Sequence, residues 1–116
     1  MTRENIKKLD RLFQELVLQR NSNMSILGGE ATLVHHFITK NQGLSTRWYI
    51  PNGIPLRIDQ HNIIHSKDGK LLETEIVNIK GNKWMKDLNT QRMKFGKYAT
   101  FQDVFNYLNG LTDNYV

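Results

Sequence analysis

The chain has 116 residues, 39% of them hydrophobic, with a formal net charge of +5, four histidines and no cysteine. That supports one modest core rather than a disordered chain, and excludes disulfide frameworks and thiolate metal sites. A sequence pI near 9.6 favours polyanionic partners through steering and counterion release. No stretch approaches the roughly 18 apolar residues of a membrane span. The opening MTRENIKKLDRLFQ reaches charge at once, so a cytosolic protein without a membrane partner is expected.

Residues 4–20 place Ile6, Leu9, Leu12, Phe13, Leu16 and Val17 at helical spacing between charges. That stripe predicts a helix packed on its own domain, with a homodimer interface as the alternative. NSNMSILGGEA (21–31) has the Asn, Ser and Gly clustering of a loop, and 31–38 (ATLVHHFI) reads as a short buried strand. After the loop TKNQGLS, the strand formers of TRWYI (46–50) predict a second strand, and Pro51-Asn52-Gly53 a turn. Residues 57–66 read as a helix with Ile58, His61, Ile64 and His65 on one side. A further helix from Lys70 to Ile79, with Leu72, Ile76 and Ile79 as its apolar positions, is broken at Gly81-Asn82. The helical pattern resumes over Lys83–Met93 through Trp84 and Leu88, and a last helix begins at Thr100 with Asp103 as a partial capping box. The expected architecture is α+β in one domain over 1–116: N-terminal helix 4–20, a strand–strand–helix core over about 31–66, and C-terminal helices over about 70–111.

All four histidines fall in one 31-residue window with the pattern H-H-x15-N-x8-H-x3-H. His61 and His65, four apart on a helix, share a face and can grip one ion. His35 and His36, adjacent in a strand, point to opposite faces and so do different work. One of them completes a three-nitrogen metal site with an open fourth position, and the other stands free beside it. Spacing alone leaves open which is which.

The segment LVHHFITKNQGLSTRWYIPNGIPLRIDQHNIIH resembles the HNH (ββα-metal) endonuclease superfamily. It is especially similar to small phage nucleases, including the lambda-type recombination endonucleases, through Arg47, Trp48, Asn52, Gly53, Ile54, Pro55 and Leu56. The resemblance implies a ββα-metal core embedded in a mainly helical domain and a divalent-metal-dependent DNA endonuclease of phage origin, acting in the host-cell cytoplasm. It extends to branched recombination intermediates as substrates and to products with 5′-phosphate and 3′-hydroxyl ends. Carried over residue by residue, His35, His61 and His65 would be metal ligands, His36 the general base, and Asn52 the residue whose amide orients the His36 imidazole. The base would have a pKa close to the working pH. One divalent ion is implied, magnesium or manganese in activity, while three imidazoles are also compatible with zinc or nickel. Many relatives carry a structural zinc on two Cys-x-x-Cys pairs; here those positions hold Met24, Leu27, Arg57 and Gln60. The first two are expected to pack as apolar substitutes, the last two to face solvent or DNA.

Lys40 and Arg47 flank the site as candidate phosphate contacts, Arg47 because its planar fork matches phosphate oxygens. A solvated Lys and an Arg with a structural partner are the alternatives. Lys67, Lys70, Lys80, Lys83, Lys86, Arg92, Lys94 and Lys97 make the C-terminal half basic, as either a DNA-tracking surface or solvated helix faces. Competing functions are a site-specific nicking or homing nuclease, and a non-catalytic module on the same fold that binds DNA or protein.

Overall fold

The first element, α1 (Arg3–Arg20), is capped by Thr2, whose hydroxyl accepts the Asn5 N–H at 3.1 Å. The computed structural model describes residues 1–42, 44–94 and 100–113; Lys97 of the basic series lies outside them. Leu9, Phe13, Leu16 and Val17 of α1 are almost completely buried. They pack with Trp48, Ile50, Val104 and Leu108 in one apolar cluster. The stripe offered for a homodimer is therefore used inside the chain, against the C-terminal helix α6 (Phe101–Asp113) and the sheet.

The sheet has two antiparallel strands, β1 (Leu33–His36) and β2 (Gly53–Leu56), paired Leu33↔Leu56, Val34↔Pro55, His35↔Ile54 and His36↔Gly53. Its second strand is not the TRWYI segment that composition favoured. Residues Leu44–Arg47 form a helical turn, α2, and Ile50–Asn52 a 3-10 turn that delivers the chain into β2. Strand propensity lost to tertiary partners here. Asp10 of α1 accepts hydrogen bonds from the Arg47 side chain and the Trp48 indole, Trp84 donates its indole N–H to the Pro51 carbonyl at 2.7 Å, and the Asn52 amide ties the loop together. Pro55 is tolerated in β2 because its backbone polar side points away from β1, its carbonyl accepting the Ile26 N–H at 3.1 Å, so the ladder to β1 loses no donor.

The period-2 alternation of this short ladder divides the interior. Val34, His36 and Gly53 face α1, whereas Leu33, Ile54 and Leu56 face a second cluster with Ile64 and Ile76. Gly53 has a specific reason to lack a side chain: a Cβ there would lie 2.5 Å from Val17 Cγ2 and 2.9 Å from Phe13 Cζ. The second cluster is covered by α3 (Ile58–Ile64), α4 (Gly69–Lys80) and α5 (Asn82–Lys94). Gly81, at φ 92°, makes the break between α4 and α5, a backbone state that disfavours any side chain. Ile76 and Leu88 are buried, whereas Ile79, another apolar position of the α4 pattern, is 51% exposed.

Of Met24 and Leu27, expected to pack as apolar substitutes, Leu27 packs on the second apolar cluster and Met24 is half exposed. Gln60, expected at the surface, is buried. Its Oε1 accepts from Ser25 Oγ at 2.5 Å and from the Arg57 N–H at 2.9 Å, and its Nε2 donates to the Gly28 carbonyl at 3.0 Å. A hydrogen-bonded side chain thus staples the 21–31 loop to the start of α3. Arg57 does face solvent, paired with Asp59.

Candidate metal centre

β1 and α3 bring three of the four histidines together. One ring nitrogen from each of His35, His61 and His65 lies within 4.8 Å of the other two. His61 and His65 approach most closely, Nε2 to Nε2 at 3.0 Å, as one helical turn dictates; His65 is the C-cap of α3 rather than a residue inside it. Tetrahedral coordination with bonds of about 2.0–2.1 Å sets ligand nitrogens roughly 3.3 Å apart. The helical pair is already near that spacing. His35 is buried at 5% exposure, and its Nε2 has no hydrogen-bond partner among the described residues, which is unusual for a buried polar atom.

Electrostatics point the same way. Burial first, then the neighbouring charges of His61, His65 and His36, depress the His35 pKa to about 4. Burial and His65 lower that of His61. Both rings are thereby favoured as neutral imidazole, the form that binds metal. The donor set fits a divalent transition ion with room for a further ligand, because the triad borders a cleft of about 440 Å³ open to solvent.

His36 leaves the strand on the opposite side. Its ring stacks on Phe13 at 5.0 Å between centroids with an interplanar angle of 22°. Its Nε2 is buried and has no hydrogen-bond partner among the described residues. Burial foremost, reinforced by the Lys40 charge, pushes the His36 pKa down to about 4 despite the opposing influence of the Arg47 backbone and the Asp10 carboxylate. This lies below the near-neutral value expected for a general base; an anionic phosphate entering the cleft acts in the opposite direction.

Asn52 is fully buried, but its amide does not touch His36. Its Oδ1 accepts the Ile38 N–H at 2.8 Å, and its Nδ2 donates to the Ile38 and Thr46 carbonyls at 3.0 Å each. It fixes the chain just after β1 against the α2 turn. Lys40 lines the cleft and stays half exposed, with Asp10 at 3.8 Å. Arg47 has the structural partner: a bidentate pair with Asp10 at 3.2 and 2.9 Å. Its guanidinium is already engaged, so of the two candidate phosphate contacts only Lys40 presents its charge to the opening.

No family model matches the chain, and neither the curated proteins nor the solved structures yield a match. The functional reading therefore stands on this chain's own residues. Three residues of the cleft had no signal in the motif: Asp10, Phe13 and Gln14, all from α1. Their spacing along one helical face was the only hint.

Proposed function

We propose that the chain is a divalent-metal-dependent DNA endonuclease of the HNH type, with β1, β2 and α3 as its ββα-metal core. The observation that carries the reading is the three-imidazole cluster of His35, His61 and His65 beside a separate, buried, unpartnered nitrogen of His36 on the same cleft. Metal ligands and a base are both needed for hydrolysis of a phosphodiester, and a purely structural ion site needs no fourth histidine.

In this proposal His35, His61 and His65 hold the ion. When bound, such an ion would supply Lewis-acid stabilisation of the negative charge that builds up as a phosphodiester is cleaved. The three-imidazole donor set favours zinc, nickel or copper over magnesium and manganese, whose preferred ligands are oxygens. His36 accepts the proton of the attacking water at Nε2. Phe13, stacked on the ring, limits its rotation. Lys40 at the rim attracts the DNA backbone, in keeping with the net charge of +5.

Nicking of supercoiled plasmid with manganese, nickel, zinc or magnesium, and with chelator, tests the proposal. Linear DNA and a four-way junction run in parallel define the substrate. Metal-dependent conversion to open circles that is lost in His36→Ala is expected. A wild-type protein that binds DNA but does not cut it with any of these ions would replace the enzyme by a binding module.

A further inference from the structure

One wall of the cleft comes from outside the histidine window. α1 supplies Asp10, Phe13 and Gln14 alongside the imidazole cluster. Asp10 and Gln14 are four apart, and Lys7 and Arg3 continue the same stripe at spacings of three and four toward the start of the helix. At 1.5 Å of rise per residue, Lys7 lies about 10 Å and Arg3 about 16 Å from Gln14 along the axis. Both are exposed, and neither forms an ion pair among the described residues. The single acid of the stripe is already committed. Asp10 accepts Arg47 Nε at 3.2 Å, Arg47 Nη2 at 2.9 Å and Trp48 Nε1 at 2.8 Å. Arg3 and Lys7 are therefore left uncompensated on the flank that runs out of the cleft, and Lys40 at the rim has the same sign.

The neighbouring stripe of α1 has the same spacing and a different charge. Glu4, Lys8, Arg11 and Glu15 hold two charges of each sign, with opposite charges four apart at both ends. Lys8 also has a place in the fold, 5.9 and 5.4 Å from the Phe101 and Phe105 ring centroids of α6. Solvation alone gives no reason for the surplus of α1 to collect beside the cleft. We propose that the cleft flank of α1 is the docking track for the DNA backbone: Arg3 and Lys7 hold phosphates beyond the stretch that lies at the histidine cluster. At 3.4 Å of duplex axis per phosphate of one strand, the span from Gln14 to Arg3 matches about five phosphates. This rests on the nuclease reading and names the side of the molecule on which its substrate lies, α1 rather than the basic C-terminal helices.

The test measures the Kd of a fluorescent duplex longer than the cleft and the track together, as a function of salt. Zinc-loaded His36→Ala protein is the parent, so that the DNA survives. It is compared with the same protein carrying Arg3→Gln and Lys7→Gln, or carrying Lys83→Gln and Lys86→Gln, which remove equal charge from exposed positions of α5. Calorimetric zinc titration checks that the histidine cluster is intact in each. The α1 pair should flatten the slope of log binding constant against log salt by about 1.8 and weaken binding about tenfold or more near physiological salt. The α5 pair should change the slope by less than half as much. Equal flattening by both pairs would reduce the attraction to net charge, and a larger effect of the α5 pair would move the track to the C-terminal helices. Either result overturns the proposal, as does an unaltered slope in the α1 pair. Should the α1 pair fail to fold, Arg3→Gln and Lys7→Gln are read singly, each with an expected flattening of about 0.9. Wild-type protein that binds the duplex through α1 but nicks no plasmid with any metal would overturn the nuclease reading alone.

Discussion

The two faces of one four-residue strand have been put to opposite uses. On the α3 face, His35 meets two histidines of a partly exposed helix end, and the three nitrogens converge on a point accessible to solvent. On the α1 face, His36 is stacked on a phenylalanine, with its Nε2 buried and without a hydrogen-bond partner among the described residues. His35 is buried and His36 half-buried, yet both are depressed to about pKa 4, so pKa does not distinguish them. Their surroundings do. A convergent set of like ligands suits an ion, whereas a single ring stacked on a fixed partner suits a group that moves a proton.

The largest effect should come from breaking that division directly. His36→Ala should lower kcat by about 10²–10⁴ with zinc affinity unchanged by calorimetry, while His61→Ala and His65→Ala should each weaken zinc binding. Loss of zinc binding in His36→Ala would exchange the roles of the two faces.

The backbone on which both faces depend is next. Asn52→Ala leaves the Ile38 N–H and the Ile38 and Thr46 carbonyls without their side-chain partner. Denaturant unfolding should show a loss of about 3 kcal/mol; a change below about 1 kcal/mol would mean that the loop finds other partners.

One substitution on each side then asks whether the faces are separable. Gly53→Ala forces a methyl group against Val17 and Phe13 and should cost about 1–3 kcal/mol. It should impair kcat through the displaced Phe13 and leave zinc affinity nearly intact. Gln60→Leu removes the staple between the 21–31 loop and α3 and should cost about 2 kcal/mol, this time weakening zinc binding next door at His61. Equal effects of both variants on kcat and on zinc affinity would show that the two faces move as one body.

A smaller effect is expected from pH. Burial draws the Asp10 carboxyl upward, but the hydrogen bonds and charge of Arg47, the Trp48 indole and Lys40 outweigh it and hold the pKa below the ordinary 3.8. A carboxylate lowered in the folded state contributes stability fully above its unfolded pKa, and that contribution disappears as pH falls through the folded value. The difference in melting temperature between wild type and Asp10→Asn should be constant near neutrality and shrink only below about pH 4. A difference that widens toward acid would reverse the assigned shift.

The smallest effect belongs to the rim. Lys40→Ala should flatten the log binding constant against log salt slope for DNA by about 0.9, with metal affinity unchanged. An unaltered slope would place Lys40 off the DNA path.

Periodicity made α1, α4, α5 and α6 legible in the sequence, because an amphipathic stripe of 12 or more residues is a local property. Strand alternation likewise separated His35 from His36, and helical spacing joined His61 to His65. Local propensity misplaced the second strand. TRWYI has the composition of a strand, yet its Arg and Trp are drawn to a carboxylate 37 and 38 residues away, and the strand role falls to GIPL, which contains a proline. Gln60 was misjudged for the same reason, since a polar side chain reads as exposed until its partner is known, whereas for Arg47 the structural partner was one of the two readings the sequence offered.

By itself, the sequence determined the order of the elements, the two faces of β1 and the identity of the four histidines, since each follows from backbone periodicity. Only the tertiary structure decided which histidine joins the cluster and which stands against α1, that Asn52 bonds backbone rather than imidazole, and that Asp10 belongs to the site. Those outcomes depend on contacts between residues distant in the chain, where packing and partner geometry outweigh any local preference.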